Sequence, residues 1–341
     1  MVNLFTFNPM KYQLLIVGCL FSFCAVAQPL TRIAFGSCSI QDSTSQMWGE
    51  VTTQKPQLWI WLGDMIYADT HDMRVMGAKY DKQKSDPGYQ LLLQSCSIIG
   101  TWDDHDYGQN DGGKYYSRKN ESKEEMMRFL NVPADDPVRK HAGVYSTHTY
   151  GNGNQKVKVI LLDTRAFRDT IQASSTKGKK YDPNPTGDLL GEEQWFWFEQ
   201  QIKNSDAAIH IIGSSIQFIS NDHGYEKWGN FPKSRQRMLD LLVKYKIKQP
   251  LIISGDRHIA EISKMQVPGL PYPLYDFTSS GLTHTWSFKD AFEKNQYRIG
   301  KMVVQKNFGL ILIDWSGGTP KITLEIRGKN PDPWDKPVMI N

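Results

Sequence analysis

Leu58-Trp59-Ile60-Trp61-Leu62-Gly63-Asp64 is an unbroken apolar run that stops on a glycine and a carboxylate. It reads as a buried strand that delivers an acid at its end. The pattern recurs along the chain. The strand expected over residues 32–35 runs into Gly36-Ser37-Cys38-Ser39, and 98–101 leads into Trp102-Asp103-Asp104-His105-Asp106. Residues 251–253 end in Ser254-Gly255-Asp256, with His258 two residues on. Apolar strands therefore stop repeatedly at residues of metal-ligand type. In α/β folds the carboxyl ends of strands are where sites assemble.

Helical stretches lie between these strands. Residues 192–203 carry Trp195, Phe198 and Ile202 at helical spacing, with two glutamates in the first turn, and 234–246 reads as another helix. Residues 144–150 and 157–162 flank Gly151-Asn152-Gly153-Asn154, a hairpin signal, and 207–212 is a further strand. A closing hairpin joins 310–315 to 322–326 across Ser316-Gly317-Gly318. Interleaved strands and helices put helices on sheet faces, while the hairpins add antiparallel strands. The expected fold is α/β, a sandwich of two mixed β-sheets flanked by helices. No internal repeat or low-complexity linker divides the chain, so residues 28–341 are expected to form one domain.

The 341 residues are 40% hydrophobic, enough for a large core. The formal net charge is +4, and no block of like charge offers a nucleic-acid-binding surface. Residues 1–27 read as a secretory signal peptide. Lys11 supplies the positive flank, 14–26 is an apolar segment too short to span a bilayer comfortably, and Ala25-Val26-Ala27 is a cleavage site. Met10 offers an alternative start. Ile16-Val17-Gly18-Cys19 only partly matches a lipid-anchor signal. The expectation is a secreted or periplasmic protein, cleaved after Ala27 and then without a transmembrane span. Cleavage leaves Cys38 and Cys96. In an exported protein such a pair suggests a disulfide, while the place of Cys38 among small residues at a strand end also suits a ligand.

Asp103, Asp104 and Asp106 surround His105, an arrangement costly for structure alone. Asp256 and His258 are two apart, so both can point the same way from an extended segment. Taken singly, Gly63-Asp64 is also compatible with a simple turn and Tyr67 with a packed aromatic. Converging acids in a partly buried site repel one another strongly. Bound cations remove that repulsion. Oxygen donors favour Ca²⁺, Mg²⁺ or Mn²⁺, and thiolate or phenolate suits Fe³⁺ or Zn²⁺.

In this order, six stretches resemble the alkaline phosphatase D (PhoD-like) family of the calcineurin-like metallophosphoesterases. They are Phe35-Gly36-Ser37-Cys38-Ser39, Trp61-Leu62-Gly63-Asp64-Met65-Ile66-Tyr67, Thr101-Trp102-Asp103-Asp104-His105-Asp106, Leu162-Asp163-Thr164-Arg165, Leu190-Gly191-Glu192-Glu193-Gln194-Trp195 and Ser254-Gly255-Asp256-Arg257-His258. The matches run from about residue 31 to residue 285, and the ordered set is specific. The resemblance implies a metal-dependent hydrolase of phosphomonoesters or phosphodiesters. It implies a multinuclear centre with Fe³⁺ held by Cys38, Asp64 and Tyr67, and Ca²⁺ at the remaining oxygens; the full ligand set adds Asp104, Asp256 and His258. The separate N-terminal β-domain of longer relatives is expected to be absent. The wider superfamily pattern is not kept throughout. Cys38 stands in place of its first ligand pair, Asp104 in place of the Asn before its catalytic His, and Asp256 in place of the first His of its last motif. Its middle His has no clear match; Gln217 and His223 are the nearest polar candidates.

On this reading a metal-bound hydroxide attacks phosphorus in line, and Asp64 bridges two metals. His105 protonates the leaving oxygen or hydrogen-bonds the phosphoryl group, oriented by Asp103 or Asp106, so His105 and Asp103 are the expected catalytic pair. Arg165 is expected to clamp phosphate bidentately, its alternative being an ion pair with a nearby acid. Arg257 is a weaker clamp candidate and Asp276 a further possible ligand. The expected partner is a small phosphoester substrate. Two rivals remain. A serine hydrolase built on Ser279-Ser280-Gly281 and His284 lacks a Gly-x-Ser-x-Gly elbow. A non-catalytic, exported calcium-binding protein would not need His105 or Arg165 beside the acids.

Overall fold

A computed structural model of the chain describes residues 1–2, 28–286 and 293–340. Its strands are β1 (Arg32–Gly36), β2 (Leu58–Leu62), β3 (Ser97–Thr101), β4 (Ser146–Tyr150), β5 (Val157–Leu161), the short pair β6 (Gln172–Ala173) and β7 (Tyr181–Asp182), β8 (Ile209–Ser214), β9 (Pro250–Ser254), β10 (Ala260–Met265), β11 (Leu274–Ser279), β12 (Arg298–Val303), β13 (Phe308–Asp314), β14 (Lys321–Arg327) and β15 (Val338–Ile340). The helices are α1 (Trp48–Thr53), α2 (Met73–Lys84), α3 (Pro87–Ser95), α4 (Asp104–Tyr107), α5 (Lys119–Phe129), α6 (Gly191–Ile202) and α7 (Pro232–Lys244).

Two mixed sheets form the sandwich. One has the order β15-β14-β13-β1-β2-β3, with β1, β2 and β3 parallel. The other has the order β12-β10-β11-β9-β8-β5-β4, with β5, β8, β9 and β11 parallel. The strand period of two decides what each face of β2 meets. Leu58, Ile60 and Leu62 point between the sheets and pack with Val159, Leu161, Ile211 and Ile253 of the second sheet. Trp59 and Trp61 point outward, where Trp48 of α1, Tyr80 of α2, Tyr89 of α3 and Phe129 of α5 cover them. On the opposite outer face Ile160, Ile212 and Ile252 meet Trp195 and Phe198 of α6 and Met238 and Leu242 of α7. The expected helix-flanked sandwich is therefore the observed fold.

The helices α2, α3 and α5 were not legible as apolar periods. The first two start on side-chain caps instead. Asp72 accepts the amide of Arg74, and Asp86 accepts those of Gly88 and Tyr89, with Pro87 in the first turn of α3. The expected signal peptide falls on residues 1–27, of which 3–27 lie outside the described residues. Among the described residues no helix is long and apolar enough to cross a membrane.

Candidate metal centre and active site

Cys38 follows β1, Asp64 follows β2, Asp103 to Asp106 follow β3, and Asp256 and His258 follow β9. Four of these residues leave ordinary backbone space: φ is 62° at Cys38, 49° at Asp64, 68° at Asp256 and 54° at His258. Positive φ is uncommon away from glycine and costs on the order of 1–3 kcal/mol per residue. Here it turns the chain just past each strand end, which brings the side chains back over the sheet edge. Close backbone approach completes the convergence. A Cβ at Gly63 (φ 89°) would lie 2.2 Å from that of Asp103, and one at Gly255 would lie 2.5 Å from the Leu62 carbonyl oxygen.

The donor atoms meet in three linked sets. Cys38, Asp64 and His258 offer atoms within 4.8 Å of one another, as do Asp64, Asp104 and His105, and Asp103, Asp104 and Asp256. Cys38 Sγ is 3.3 Å from Asp64 Oδ2. The Tyr67 hydroxyl is 3.4 Å from the same oxygen and 3.1 Å from His258 Nε2. All six expected ligands thus lie in one cluster. His284 joins them, with Nε2 3.2 Å from the Tyr67 hydroxyl and its ring 4.3 Å from that of His258.

Burial pushes the Cys38 thiol well above its usual range, and the charge of Asp64 adds to the effect. Burial likewise raises Asp64, against the pull of His105 and with the push of Asp104 and Asp103. Asp256 is raised by burial and by Asp103 and Asp104. Burial, then His284 and His105, lower His258 to about 3. Asp104 is different. Burial opposes its charge, but Arg165, His105 and the amide of Asp111, 2.7 Å away, hold it below the carboxylate range. Among the described residues Asp64 Oδ1, Asp103 Oδ2 and Asp104 Oδ1 are buried without a hydrogen-bond partner. Such orphans are rare in native proteins. Crowded acids with orphan oxygens, beside a thiol, a phenol and imidazoles, are donor chemistry that could hold metal cations.

His105 lies beside this cluster, but its orienting partner differs from expectation. Its Nδ1 is 2.7 Å from Asp69 Oδ2, and its ring lies 4.2 Å from that of Tyr67. Burial works against a charged imidazole here. The bond to Asp69 and the fields of Asp64 and Asp104 outweigh it and lift His105 to about 10. Asp106 does not touch His105; it accepts the amides of Asp103 at 2.6 Å and Met65 at 3.1 Å, tying the ends of β2 and β3.

Asp103 is not placed as a catalytic partner of His105 either. It is fully buried, and its Oδ1 accepts Arg165 Nε at 2.5 Å and the Ser215 hydroxyl at 2.7 Å. Arg165 is fully buried as well, with Nη1 2.6 Å from Glu226 Oε2. Glu226 also pairs with Arg168 Nε at 3.0 Å. The expected phosphate clamp is therefore the alternative, an ion pair beneath the site. Burial opposes the Arg165 charge, but Asp103 and Glu226 more than offset it.

The remaining expectations separate cleanly. Gln217 donates to Glu261 and Thr278, both at 2.8 Å, and His223 is not among the residues that line the pocket beside Asp64, Asp104 and Asp256. The end of β8 contributes Ser215 under Asp103 instead. Asp276 accepts the amides of Phe218 and Ile219 and the Ser254 hydroxyl, so it pins a loop. Cys38 and Cys96 are both free. Cys38 follows β1 and Cys96 precedes β3, which run parallel through β2, so they lie at opposite sheet edges. Five residues separate those edges by roughly 16 Å, beyond disulfide reach.

Beside the cluster is a pocket of about 170 Å³ whose lining includes Asn110, Asp111, Lys180, Tyr225, Arg257 and Trp286. Asp69, Glu226 and Trp286 were not singled out from the sequence, and His284 was placed only in the rival serine site. Asp69 carried a signal, since it lies two residues beyond Tyr67 in the same strand-end segment.

The family model described as PhoD-like phosphatase matches residues 33–307. Alkaline phosphatase D of Bacillus subtilis (strain 168) is 22% identical over 281 residues, covering 70% of this chain and 48% of that protein. The chain thus spans about half the length of the curated relative it matches. A solved structure of PhoD superposes with a TM-score of 0.67 at 18% identity, covering 92% of this chain and 69% of that one. A Plasmodium protein described as GAP50, the anchor in the inner membrane complex, gives a TM-score of 0.58 at 12% identity, covering 92% of this chain and 89% of its own. These two structures share the fold.

Proposed function

The chain belongs to the PhoD-like phosphatase family, and from that premise we propose that it is an exported, metal-dependent hydrolase of phosphomonoesters or phosphodiesters. Residues 28–341 would be its single catalytic domain. The observation that carries this reading is the convergence of Cys38, Asp64, Asp104, Asp256 and His258, with the Tyr67 hydroxyl 3.4 Å from Asp64, beside three orphan carboxylate oxygens. Cys38, Asp64 and Tyr67 would hold Fe³⁺, with Asp104, Asp256 and His258 completing a set that places Ca²⁺ at oxygen donors. Bound cations would supply Lewis acidity, polarising the phosphoryl group and acidifying the attacking water.

The chain's own part is to position and to move one proton. Asp69 holds His105 by Nδ1, so Nε2 is the nitrogen left for substrate. As the new bond from water oxygen to phosphorus forms, the bond from phosphorus to the leaving oxygen breaks. The Nε2 proton of His105 passes to that leaving oxygen, and the proton released by water restores the acid. The Tyr67 ring packs against that of His105, 4.2 Å away and tilted by 33°. The ion pairs of Arg165 with Asp103 and Glu226 fix the layer beneath.

The test is metal analysis of the purified protein together with a panel of mono- and diesters, before and after chelation. Bound metal and turnover that is lost on chelation and restored by metal support the reading. Turnover that survives metal removal would point to serine chemistry, and no turnover on any ester would leave a cation-binding protein.

A further inference from the structure

One wall of the pocket beside the cluster carries two aromatic side chains, Tyr225 and Trp286, next to Arg257. Trp286 is 41% exposed, although its indole borders the candidate metal centre. Its amide donates to the His258 carbonyl at 3.1 Å. Its ring lies 5.9 Å from that of His258, at 28°, and 5.9 Å from that of Tyr225, at 40°. Tyr225 is braced by the Arg257 guanidinium, 4.4 Å from its ring centre, and Arg257 is itself fixed by Glu293 at 2.7 Å. The result is a held aromatic surface rising from the metal side. The lining also has a polar part, with Lys180 pinned to Asp111 at 2.5 Å.

A phosphoryl group is recognised by charge and hydrogen bonds. A braced, partly exposed indole beside a tyrosine recognises a planar π system by stacking. Resting on the phosphoesterase reading above, we propose that the Trp286–Tyr225 wall is the leaving-group subsite. The preferred substrates are then phosphoesters whose leaving group carries a planar aromatic system, either an aryl alcohol or a nucleoside, over aliphatic alcohols.

The test compares wild type, Trp286→Ala and Trp286→Phe as metal-loaded enzymes on phenyl phosphate, adenosine monophosphate and glycerol phosphate. Comparing the same substrate between variants cancels its intrinsic reactivity. Trp286→Ala should lower the ratio of kcat/KM for an aromatic substrate to that for glycerol phosphate about tenfold, the scale of one stacking contact. The loss should lie chiefly in KM, and Trp286→Phe should recover most of it. A fall confined to phenyl phosphate or to adenosine monophosphate tells which aromatic group the wall serves. An equal loss on all three substrates means Trp286 merely shields His258, and that result, like an unchanged ratio, overturns the proposal while leaving the phosphoesterase reading intact. Adenosine binding by equilibrium dialysis gives a readout without turnover. If no ester is hydrolysed, adenosine binding that weakens about tenfold in Trp286→Ala supports the subsite, and absence of any such binding removes it.

Discussion

Arg165→Met should cost stability and not substrate affinity. Its guanidinium is completely buried and divides its donors between Asp103 and Glu226. The two acids are left differently when it goes. Glu226 keeps Arg168, 3.0 Å away, whereas Asp103 keeps only the Ser215 hydroxyl and backbone dipoles. The loss is therefore that of one buried carboxylate stripped of its counter-ion, about 3–5 kcal/mol. Unfolding entropy of ~2.1 cal/mol/K per residue over ~300 residues is ~0.6 kcal/mol/K, so Tm should fall by roughly 5–8 °C. Asp103→Asn in the same background removes the stranded charge and should return part of that loss.

The assay is thermal unfolding of wild type, single and double variants at saturating metal, with kinetics taken well below every Tm. Since Arg165 presents nothing to the pocket, KM for a good phosphoester should stay within about threefold, the scale of a slight shift in a supporting layer. A Tm equal to that of wild type combined with a KM raised tenfold or more would show that the guanidinium reaches phosphate, and the buried-pair assignment would fail.

Four further outcomes are expected. Asp64→Asn should lose turnover and bind less metal by elemental analysis, because one carboxylate serves two of the donor sets; full metal content with full activity would refute this. His105→Ala should lower kcat by roughly 10²–10⁴-fold at near-normal metal content, with a smaller loss for nitrophenolate, which needs little protonation; an emptied site would make His105 a ligand. Mass spectrometry without reductant should find both Cys38 and Cys96 as thiols, and a stoichiometric bridge in active protein would remove Cys38 from the centre. Burial lowers His210 in the folded chain from 6.5 to about 4, so the folded state binds fewer protons than the unfolded state in that window. Stability should be intact above about pH 6.5 and fall by roughly 3 kcal/mol toward pH 4, and urea titrations of wild type and His210→Gln should show the flatter profile in the variant.

The strand-end ligands were legible because two signals coincide at them. An apolar run announces a strand, and a polar donor directly after it has only the sheet edge to occupy. Asp64, Cys38 and Asp256 all satisfy that rule. The helices on the outer face of the first sheet were harder to read, because α2 buries only Met76, Gly77, Tyr80 and Gln83 fully and leaves Val75 exposed, so its apolar residues do not form a clean stripe. Arg165 misled for a related reason. Its position after β5 matches that of a ligand, yet whether a residue there faces the pocket or the layer beneath depends on the neighbouring loop. Here Glu226, distant in sequence, draws it down.

The partner of His105 shows most clearly why nearness in sequence misassigns roles. Asp103 and Asp106 flank His105 in the chain, and both were plausible orienters for that reason alone. The segment from Asp104 to Tyr107 folds as a helical turn, however, with Asp103 at its start. Successive helical residues are separated by ~100°, so neighbours one or two apart leave the axis in diverging directions and do not face each other. Asp103 consequently turns down to Arg165, Asp106 turns back to the amides of Asp103 and Met65, and His105 points to Asp69 farther along the loop after β2. Asp69 arrives in that loop with a φ of 43°, a conformation that aspartate tolerates better than most residues. A carboxylate thirty-six residues away thus takes the role that the adjacent ones cannot reach. Asp69→Asn should accordingly loosen the orientation of His105 and lower the fraction that carries its proton at alkaline pH, with the same leaving-group dependence as His105→Ala, whereas Asp106→Asn should act on the packing of the strand ends.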